Sequence, residues 1–450
     1  MNRQLTLPES PKARIAADIA RRLADAGHET YLVGGCVRSL LLGEEPKDYD
    51  IATAAHPEDV QRLFAKTIPI GVAFGVVIVV EEGLHTEVAT FRADGRYLDR
   101  RRPDSVTFAD AQADAARRDF TVNALYLNPQ SGEVLDWVGG LTDIEAKLIR
   151  AVGDPKARFE EDALRLLRAV RLAARCDFEI ESGTWNALRA EVQSIAAVSA
   201  ERIGDEIAKL FTGPHPGRGL RLLNDSGLLD VMLPEIAAMR GVPQPGKFHP
   251  EGDVFVHTAL CLDHLPPDPD PALALGVLLH DVGKPPTFEV APDRIRFSGH
   301  DAVGAEIAER ICRRLRFSND LTAQIVELVR RHMQFKDMPH MRPATLKRFL
   351  LREDFPLHLD LHRCDVLGSN GEPTIIEFCL QERDRLQQEG LDRLPPPLVT
   401  GDDLIALGYS PGPLFREILD AVETEQLEGR LTTPESARKY VTENWNPESM

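Results

Sequence analysis

The fold of the N-terminal part of the chain is decided by two stretches, Leu32-Val-Gly-Gly-Cys-Val-Arg-Ser-Leu-Leu-Leu-Gly43 and Asp48-Tyr-Asp-Ile-Ala-Thr53. Residues from Glu29 to Val33 favour a β-strand that runs into Gly34-Gly35, and an apolar helical stretch follows through Leu42. A glycine turn between a strand and a helix exposes backbone N–H groups at a helix N-terminus, where phosphate is favoured. By itself this pattern also fits an ordinary tight turn.

Three carboxylates near this turn favour catalysis over a solvated acidic loop. Asp48 and Asp50 are two residues apart, a spacing that points both side chains to one side of a strand and within reach of one divalent ion. Glu87 lies on the later predicted strand Thr86–Phe91 and adds a third carboxylate. Arg38, one turn into the helix, is placed to reach the same anion as the glycine turn. Together these residues favour two-metal nucleotidyl transfer, although Asp-x-Asp in isolation is also typical of an exposed loop.

The chain of 450 residues is long enough for several domains. Helix and strand patterns alternate up to about residue 150, whereas strand signals nearly vanish after Gly153-Asp154-Pro155. The predicted fold is therefore multidomain: an N-terminal α/β head with a mixed sheet, an all-α neck, a His-rich helical body and a helical tail. The predicted bounds are 1–26 for an N-terminal helix, 27–152 for the head, 153–240 for the neck, 247–370 for the body and 371–450 for the tail.

Composition sets limits on the partners of the protein. Hydrophobic residues make up 43% and charged residues 28%, which is typical of a globular chain and excludes a disordered or fibrous one. The net charge of −18 repels nucleic acid at long range, so binding it requires a locally basic face. Arginines between Arg92 and Arg118, with Lys156 and Arg158, are the candidates for that face. Six scattered cysteines, no apolar core of a signal peptide and no apolar run of membrane-spanning length predict a reduced, cytoplasmic protein that spans no membrane.

The two opening stretches resemble the head of the bacterial class II tRNA nucleotidyltransferases, the CCA-adding enzymes, and of their poly(A) polymerase relatives. Further motifs of that family follow in the same order: the third-carboxylate strand at Glu87–Arg92, the flexible loop at Arg96–Asp104, the ribose-recognition motif at Arg117–Ala124, the motif joining head to neck at Gly139–Arg150 and the nucleobase-recognition motif at Glu161–Arg165. The order of these motifs over about residues 31–175 makes the resemblance specific.

The resemblance implies template-independent addition of CCA to tRNA 3′ ends from CTP and ATP. It implies Mg²⁺ held by Asp48 and Asp50 with Glu87 assisting, contacts to the tRNA acceptor end and elbow, and no obligate protein partner. The nucleotide-binding residues that it implies are Gly34, Gly35, Arg38, Arg118, Asp119, Asn123, Asp162, Arg165, Arg168 and Arg171.

In the neck, the pattern predicts one continuous helix over Phe159–Arg175. Asp162 and Arg165 are then one turn apart and offer a hydrogen-bond acceptor and a fork of donors, which match the Watson–Crick edge of cytosine or adenine. The same pattern also fits an exposed helix with ion pairs. By resemblance, Asp162 and Arg165 select CTP and ATP, and Arg168 and Arg171 contact the base or the triphosphate.

The body carries metal-binding chemistry of a second kind. His257, His280-Asp281 and Asp365 follow an H…HD…D order, with His300 and His332 as extra histidines. The order resembles the HD phosphohydrolase superfamily, which implies a transition-metal or Mg²⁺ site at His257, His280, Asp281 and Asp365. The tail from Gly401 resembles the tail that packs near the tRNA elbow in this subfamily.

One departure from the family and several alternatives remain. The family usually carries an aspartate after the arginine of the glycine motif, whereas this chain carries Ser39. If that aspartate positions Arg38, serine substitutes for it only in part. The alternatives are a poly(A) polymerase or a partial enzyme that adds only CC or only A, and a metal-dependent phosphohydrolase whose head only binds RNA. A purely RNA-binding module is disfavoured because it gives Asp48, Asp50 and Glu87 no reason to lie together.

Overall fold

The computed structural model describes residues 4–71, 74–95, 106–246, 252–292, 294–371 and 373–445. It divides the chain into two compact units: a first unit of Met1–Ala237 with Arg314–Phe317, and a second unit of Ala238–Arg313 with Ser318–Met450. Over the described ranges, every helix is too short or too polar to cross a membrane. The predicted flexible loop Arg96–Asp104 lies outside the described residues.

The first unit is built on a seven-stranded sheet in the order β3-β4-β5-β2-β1-β8-β9. Its strands are β1 (Thr30–Val33), β2 (Asp50–Thr53), β3 (Thr67–Gly71), β4 (Val76–Glu81), β5 (Leu84–Thr90), β8 (Leu125–Leu127) and β9 (Val134–Asp136); a separate pair is β6 (Arg92–Asp94) with β7 (Val106–Phe108), and another is β10 (Leu148–Ile149) with β11 (Glu179–Ile180). Within the seven-stranded sheet β2 and β5 run parallel and the other pairings are antiparallel, which confirms the mixed sheet.

Helices surround this sheet and then form the remainder of the first unit. They are α1 (Pro11–Asp25), α2 (Gly35–Leu41), α3 (Pro57–Leu63), α4 (Ala111–Ala116), α5 (Gly140–Glu145), α6 (Pro155–Glu161), α7 (Leu164–Cys176), α8 (Ser182–Ala190), α9 (Ala200–Phe211), α10 (Pro216–Ser226), α11 (Leu228–Met232) and α12 (Pro234–Ala237). Strands β1, β2 and β8 form the centre of the hydrophobic core of the first unit, because each contributes a fully buried side chain: Leu32, Ile51 and Leu125. The predominantly helical character that the pattern predicts after residue 153 is confirmed, and in the first unit the described exception is the two-residue strand β11.

The sheet register brings two predicted carboxylates side by side. Ile51 of β2 pairs with Val88 of β5 in the parallel ladder, so Asp50 and Glu87 occupy the preceding positions of neighbouring strands. Asp48 does not share this strand, because β2 begins only at Asp50. The prediction that both aspartates point from one strand is therefore wrong for Asp48, which belongs to the segment before the strand.

The predicted continuous helix over Phe159–Arg175 is also wrong. Helix α6 ends at Glu161, Asp162 has extended backbone angles of φ −145° and ψ 104°, and α7 begins at Leu164. The Asp162 Oδ1 accepts a hydrogen bond from the Leu164 backbone N–H at 3.1 Å. Aspartate commonly satisfies the free N–H groups of a helix start in this way, and the apolar periodicity that continues through Asp162 does not reveal the break.

A short segment completes the first unit from far along the chain. Arg314 pairs with Glu235 through Nη1–Oε1 and Nη2–Oε2 contacts of 2.6 and 2.7 Å. The Leu315 carbonyl lies so close to Gly204 that a Cβ built there would be 2.4 Å from the oxygen. Gly204 therefore has no room for a side chain, and Arg314–Phe317 is packed tightly against α9.

The second unit is predominantly helical. It contains α13 (Val254–Asp263), α14 (Pro271–Leu279), α15 (His300–Arg314, whose last residue belongs to the first unit), α16 (Asn319–Arg331), α17 (Pro343–Leu350), α18 (Phe355–Leu367), α19 (Thr374–Gln388), α20 (Gly401–Ala406), α21 (Pro413–Leu427) and α22 (Pro434–Asn444), with a small hairpin of β12 (Glu289–Val290) and β13 (Ile295–Arg296). The residues of α14 from Ala272 to Leu279 are all buried, and this helix packs against α13, α16 and α18. It ends directly before His280, which places that residue and Asp281 deep within the unit.

Candidate active site and metal centre

The glycine turn lies beside two guanidinium groups. Gly34 has φ +75° and precedes α2, and a Cβ built on it would lie 3.4 Å from Nη1 of Arg118. A Cβ built on Gly35 would lie 3.7 Å from Nη2 of Arg38. Because two positive side chains border bare backbone at this turn, the arrangement suits a polyphosphate.

Arg118 is held in place by a buried carboxylate that sequence reasoning missed. Asp114 pairs with Arg118 at 3.1 Å and with Arg117 at 2.6 Å, and its side chain is 1% exposed. Burial raises the pKa of Asp114, but Arg118 and Arg117 outweigh burial and lower it overall. Arg118 also donates to the Tyr126 hydroxyl at 3.0 Å. The signal was present in the sequence, since Asp114 precedes the two arginines by three and four residues, the spacing of helical ion pairs.

Arg38 is buried and donates a hydrogen bond from Nη1 to Oδ1 of Asn123. Its Nε has no hydrogen-bond partner in the part of the chain that the structure describes. Burial lowers the pKa of Arg38, and the nearby positive charges of Arg175 and Arg171 add to this. An anion bound at the glycine turn would therefore relieve both the desolvation and the repulsion of this guanidinium.

Asp119 links the ribose-recognition motif to helix α7. Its Oδ2 accepts from Nε of Arg168 at 2.8 Å, and its Oδ1 accepts from the Phe120 N–H at 2.8 Å and from Nδ2 of Asn123 at 3.3 Å. Burial opposes ionisation, but Arg168 and these hydrogen bonds lower the pKa of Asp119 to about 2. Arg168 therefore already forms an ion pair with Asp119 in this structure.

The head carboxylates repel one another. The pKa of Asp50 is raised to about 6, first by surrounding protein atoms and next by the like charge of Glu87, with Asp48 adding to the effect, while the residue itself stays exposed to solvent at the start of β2. Asp48 is 81% exposed and forms an ion pair with Lys12 at 3.2 Å. Oxygen ligands around concentrated negative charge fit Mg²⁺. Among the described residues the three carboxylates do not form a set within 4.8 Å of one another, since Asp48 faces Lys12.

The predicted base-selecting residues are not paired with each other. Asp162 accepts from Nη1 and Nη2 of Arg202 at 3.1 and 2.7 Å, whereas Arg165 is buried and pairs with Glu161. Sequence reasoning missed Arg202, because it lies 40 residues from Asp162 and on another helix. No local pattern indicates such a pairing.

Arg171 is likewise engaged in a pair that the sequence did not indicate. It contacts Glu206 of α9 through Nε at 2.5 Å, and the Glu206 side chain is 5% exposed. Each arginine that was predicted to project from α7 toward a nucleotide therefore has an acidic partner in this structure.

The second unit gathers the residues of the predicted HD site. Nε2 of His257 lies 3.1 Å from Oδ1 of Asp365 and 3.7 Å from Oδ2 of Asp281, and Nε2 of His280 lies 3.3 Å from the same Asp281 oxygen. The structure therefore brings the four predicted ligands together. His280 is 1% exposed and its Nε2 has no hydrogen-bond partner among the described residues, as expected of a ligand atom whose partner is a metal ion.

The extra histidines lie at the same site. Nε2 of His300 and Nε2 of His332 are 3.6 and 3.8 Å from Oδ1 of Asp281, and 3.1 Å from each other. Burial lowers the pKa of His332 to about 4, and the neighbouring His280 adds to this. Neutral imidazole is the form that binds metals.

A cavity of about 790 Å³ opens beside these residues. Its wall includes Asp281, His300, His332 and Asp365 together with the cationic side chains Lys284, Arg294, Arg296 and Lys336. Lys284 is buried and contacts Asp281 at 2.7 Å and Oε1 of Gln244 at 2.6 Å. A site that combines possible metal ligands with lysine and arginine suits a phosphorylated ligand.

Comparison with protein families also assigns the glycine-turn site and the histidine site to separate regions of the chain. Residues 30–150 match the poly A polymerase head domain, residues 177–240 match the probable RNA and SrmB-binding site of polymerase A, and residues 253–377 match the HD domain. The three matches follow one another along the chain, so it is similar to a head, a probable RNA-binding region and an HD domain in that order. Among proteins with these regions, it resembles the CCA-adding enzymes.

That resemblance rests on curated relatives and on solved structures. The CCA-adding enzyme of Geobacillus thermodenitrificans is 46% identical over 228 residues, which cover 50% of this chain and 56% of the relative. The CCA-adding enzyme of Levilactobacillus brevis is 43% identical over 223 residues, or 49% and 55% of the two chains. The chain therefore spans about half the length of the curated relatives it matches.

The structural similarity extends over nearly the whole chain. A crystal structure of the Bacillus stearothermophilus CCA-adding enzyme in complex with CTP aligns with a TM-score of 0.71 at 26% identity, covering 98% of this chain and 99% of that one. The Thermotoga maritima CCA-adding enzyme complexed with tRNA aligns with a TM-score of 0.55 at 20% identity and 96% coverage of both chains, which shows a shared fold.

Proposed function

We propose that this protein is a CCA tRNA nucleotidyltransferase that adds CCA to tRNA 3′ ends from CTP and ATP without a nucleic-acid template. The observation that carries the proposal is the juxtaposition in the head of Arg38 and Arg118 at the glycine turn, with Asp50 and Glu87 on adjacent strands. The resemblance to CCA-adding enzymes over the whole fold supports the same activity. We also propose that the head spans residues 27–152, the neck 153–240, the body 247–370 and the tail 371–450.

The chain's own residues would position the reacting groups. The Gly34 N–H already donates to the Leu125 carbonyl oxygen at 3.3 Å, so the backbone N–H of Gly35 with the guanidiniums of Arg38 and Arg118 would hold the triphosphate at the glycine turn. Asn123, fixed between Arg38 and Asp119, would contact the sugar. In-line attack of the tRNA 3′-hydroxyl on the α-phosphorus forms the new phosphodiester bond and releases pyrophosphate.

The head site fits Mg²⁺ because its charged ligands are carboxylates. Asp48, Asp50 and Glu87 would hold the ions, which requires Asp48 to leave Lys12. When bound, Mg²⁺ would lower the barrier by neutralising charge on the triphosphate and on the attacking oxygen. The raised pKa of Asp50 is consistent with this role, since a cation would offset the repulsion from Glu87.

Base selection would fall to Asp162 and Arg165, as the resemblance implies. Arg202 already occupies both oxygens of Asp162, so we propose that Arg202 sets the orientation of that carboxylate toward the base. Arg168 and Arg171 would support the site through Asp119 and Glu206. A cytoplasmic location is part of the proposal and is supported by the six free cysteines.

The test uses three tRNAs that end at the discriminator base, at C and at CC, with Mg²⁺ and labelled CTP or ATP. We expect two additions of C followed by one of A, and loss of all additions in Glu87→Gln and Asp50→Asn. Glu58→Gln is the matched control, because Glu58 is exposed on α3 and outside the site. Products limited to CC, to A or to a long A tract would overturn the complete reaction in favour of a partial enzyme or a poly(A) polymerase.

A second candidate activity is metal-dependent phosphoester hydrolysis by the second unit. The observation that favours it is the gathering of His257, His280, Asp281 and Asp365 next to a cavity with cationic walls. The fold accommodates both activities, because the two sets of residues lie in different units. We expect His280→Ala to abolish release of phosphate from 2′- or 3′-phosphorylated nucleotides while leaving nucleotide addition intact.

A further inference from the structure

Residues 149–152 form a strip that links two parts of the candidate nucleotide site. The Thr121 N–H donates to the Arg150 carbonyl oxygen at 2.9 Å, and the Val152 N–H donates to the Asp119 carbonyl oxygen at 3.2 Å. One edge of the strip is therefore paired with the ribose-recognition motif.

The other edge of the strip holds the start of helix α8. The Glu181 N–H donates to the Ile149 carbonyl oxygen at 2.9 Å, and the Ala151 N–H donates to Oγ1 of Thr184 at 3.1 Å. Between Ile149 and Glu181 the chain passes through α6, Asp162 and α7. Both ends of the segment that contains the predicted base-selecting residues therefore meet at this strip.

One side chain of the strip contacts an acid on each of its two sides. Nε of Arg150 lies 3.1 Å from each carboxylate oxygen of Asp143, and its Nη1 lies 3.5 Å from Oε1 of Glu181. The Thr121 hydroxyl donates to Oδ2 of Asp143 at 2.6 Å. Arg150 therefore connects an acid that is bonded to the ribose-recognition motif with an acid at the start of α8.

Both acids have fixed positions in the structure. Asp143 lies on α5, and its side chain is 5% exposed. A Cβ built on Gly140, the first residue of α5, would lie 2.3 Å from the Thr121 carbonyl oxygen, so this helix packs directly against the ribose-recognition motif. Glu181 accepts hydrogen bonds from two backbone N–H groups at the start of α8. The two carboxylates therefore define where the Arg150 guanidinium lies.

We propose that Arg150 is a positioning residue for base selection, through its contacts with Asp143 and Glu181. The Arg150 side chain is 42% exposed, so these ion pairs should add little to stability. Their effect is on geometry, because they set the segment that carries Asp162 and Arg165 against the motif that would contact the sugar. Base and sugar belong to one nucleotide, so a shift between these parts misaligns the base edge. The inference rests on the proposed function in assigning base selection to Asp162 and Arg165.

The test measures equilibrium binding to the full chain by dialysis with Mg²⁺, using CTP, UTP and tripolyphosphate as probes. UTP shares the ribose and triphosphate of CTP and differs at the base edge, whereas tripolyphosphate reports only the phosphate site. Arg150→Gln should reduce the preference for CTP over UTP by about tenfold and leave the affinity for tripolyphosphate within about twofold. Arg189→Gln is the matched control, because Arg189 is an exposed arginine on α8, and it should change neither value.

A second pair of variants tests the same link from its other end. Thr121→Val removes the hydroxyl that donates to Asp143 with little change in shape, and it should also reduce the preference for CTP. Thr121→Ser keeps the hydroxyl and should retain the preference. This pair decides the matter if Arg150→Gln fails to fold.

Three results would overturn the proposal. They are an unchanged preference for CTP in Arg150→Gln or in Thr121→Val, an equal loss of tripolyphosphate binding, which indicates general damage to the site, and a parent protein that binds CTP and UTP equally. Selective binding of CTP without nucleotide addition by the parent protein would refute the nucleotidyltransferase. The binding data would then still decide whether Arg150 positions the base-selecting segment.

Discussion

The ion pair between Asp119 and Arg168 offers a quantitative test of how the candidate nucleotide site is held together. The Asp119 side chain is 11% exposed, and its pKa of about 2 lies below the ordinary value of 3.8. That difference corresponds to about 2 kcal/mol of stability at neutral pH. Asp119→Asn should cost about the same, about 2 kcal/mol, because Arg168 loses its charge partner but its side chain, 35% exposed, remains in contact with water.

The pH dependence has a definite sign. A carboxylate whose pKa is lowered by folding contributes its full stabilisation above its ordinary pKa and loses it as the pH falls toward the folded value. The difference in stability between the parent protein and Asp119→Asn should therefore be constant from pH 7 to pH 5. Near pH 3 it should shrink by about half, because Asp119 is by then largely protonated in the unfolded chain.

A double-mutant cycle with Asp119→Asn and Arg168→Gln isolates the pair. Urea unfolding is followed by tryptophan fluorescence in a Trp445→Phe background, which leaves Trp137 and Trp185 as reporters within the first unit. The two substitutions should show a coupling of about 2 kcal/mol. Effects that add to within about 0.5 kcal/mol would refute the conclusion that these residues act as one structural element.

Three other predictions concern residues at the head and neck. Arg202→Gln should lower the stability of the first unit, because it leaves the Asp162 carboxylate, 15% exposed, without its charge partner. It should also alter the ratio of kcat/KM for CTP and ATP, and an unchanged ratio would contradict a positioning role. Asp50→Asn should raise the thermal midpoint at pH 8 in the absence of divalent ions and have little effect near pH 4. Folding raises the pKa of Asp50 to about 6, so the charge on this carboxylate lowers stability at pH 8 and is largely absent from the folded protein at pH 4. Scanning calorimetry at both pH values checks this. Gly27→Ala and Gly34→Ala both strain a positive φ; Gly27→Ala should cost about 1 kcal/mol, and Gly34→Ala should cost more, since φ +75° with ψ −131° is a conformation that only glycine readily adopts. Only Gly34→Ala should raise KM for nucleotides, since only there does a Cβ lie beside a guanidinium; equal KM values would contradict the phosphate role.

Local features of the chain were predictable from the sequence because they depend on neighbouring residues. The Gly34-Gly35 turn, strand β1 and helix α2 follow directly from apolar patterning and glycine, and they lie within a residue or two of the predicted positions. The HD ligands converge as expected, since His280 and Asp281 follow a fully buried helix. These signals need no knowledge of distant contacts.

Distant pairings were not predictable in the same way. Asp162 breaks a helix although the apolar repeat continues through it, because its carboxylate caps the next helix and also binds Arg202. Arg171 finds Glu206, 35 residues away, and no spacing rule connects them. Asp48 turns toward Lys12 of α1, a contact that depends on how that helix packs beside the sheet. In each case the charge was recognised and its partner was not.

The segment Arg314–Phe317 has a consequence for how the protein folds as it leaves the ribosome. The first unit is otherwise finished at Ala237, but it receives this segment only after most of helix α15 has been made. Until then Glu235 lacks Arg314 and the surface at Gly204 lacks Leu315. Synthesis must therefore proceed through part of the second unit before the first can complete its packing, so a fragment that ends after Ala237 should be less stable than the same unit in the full chain.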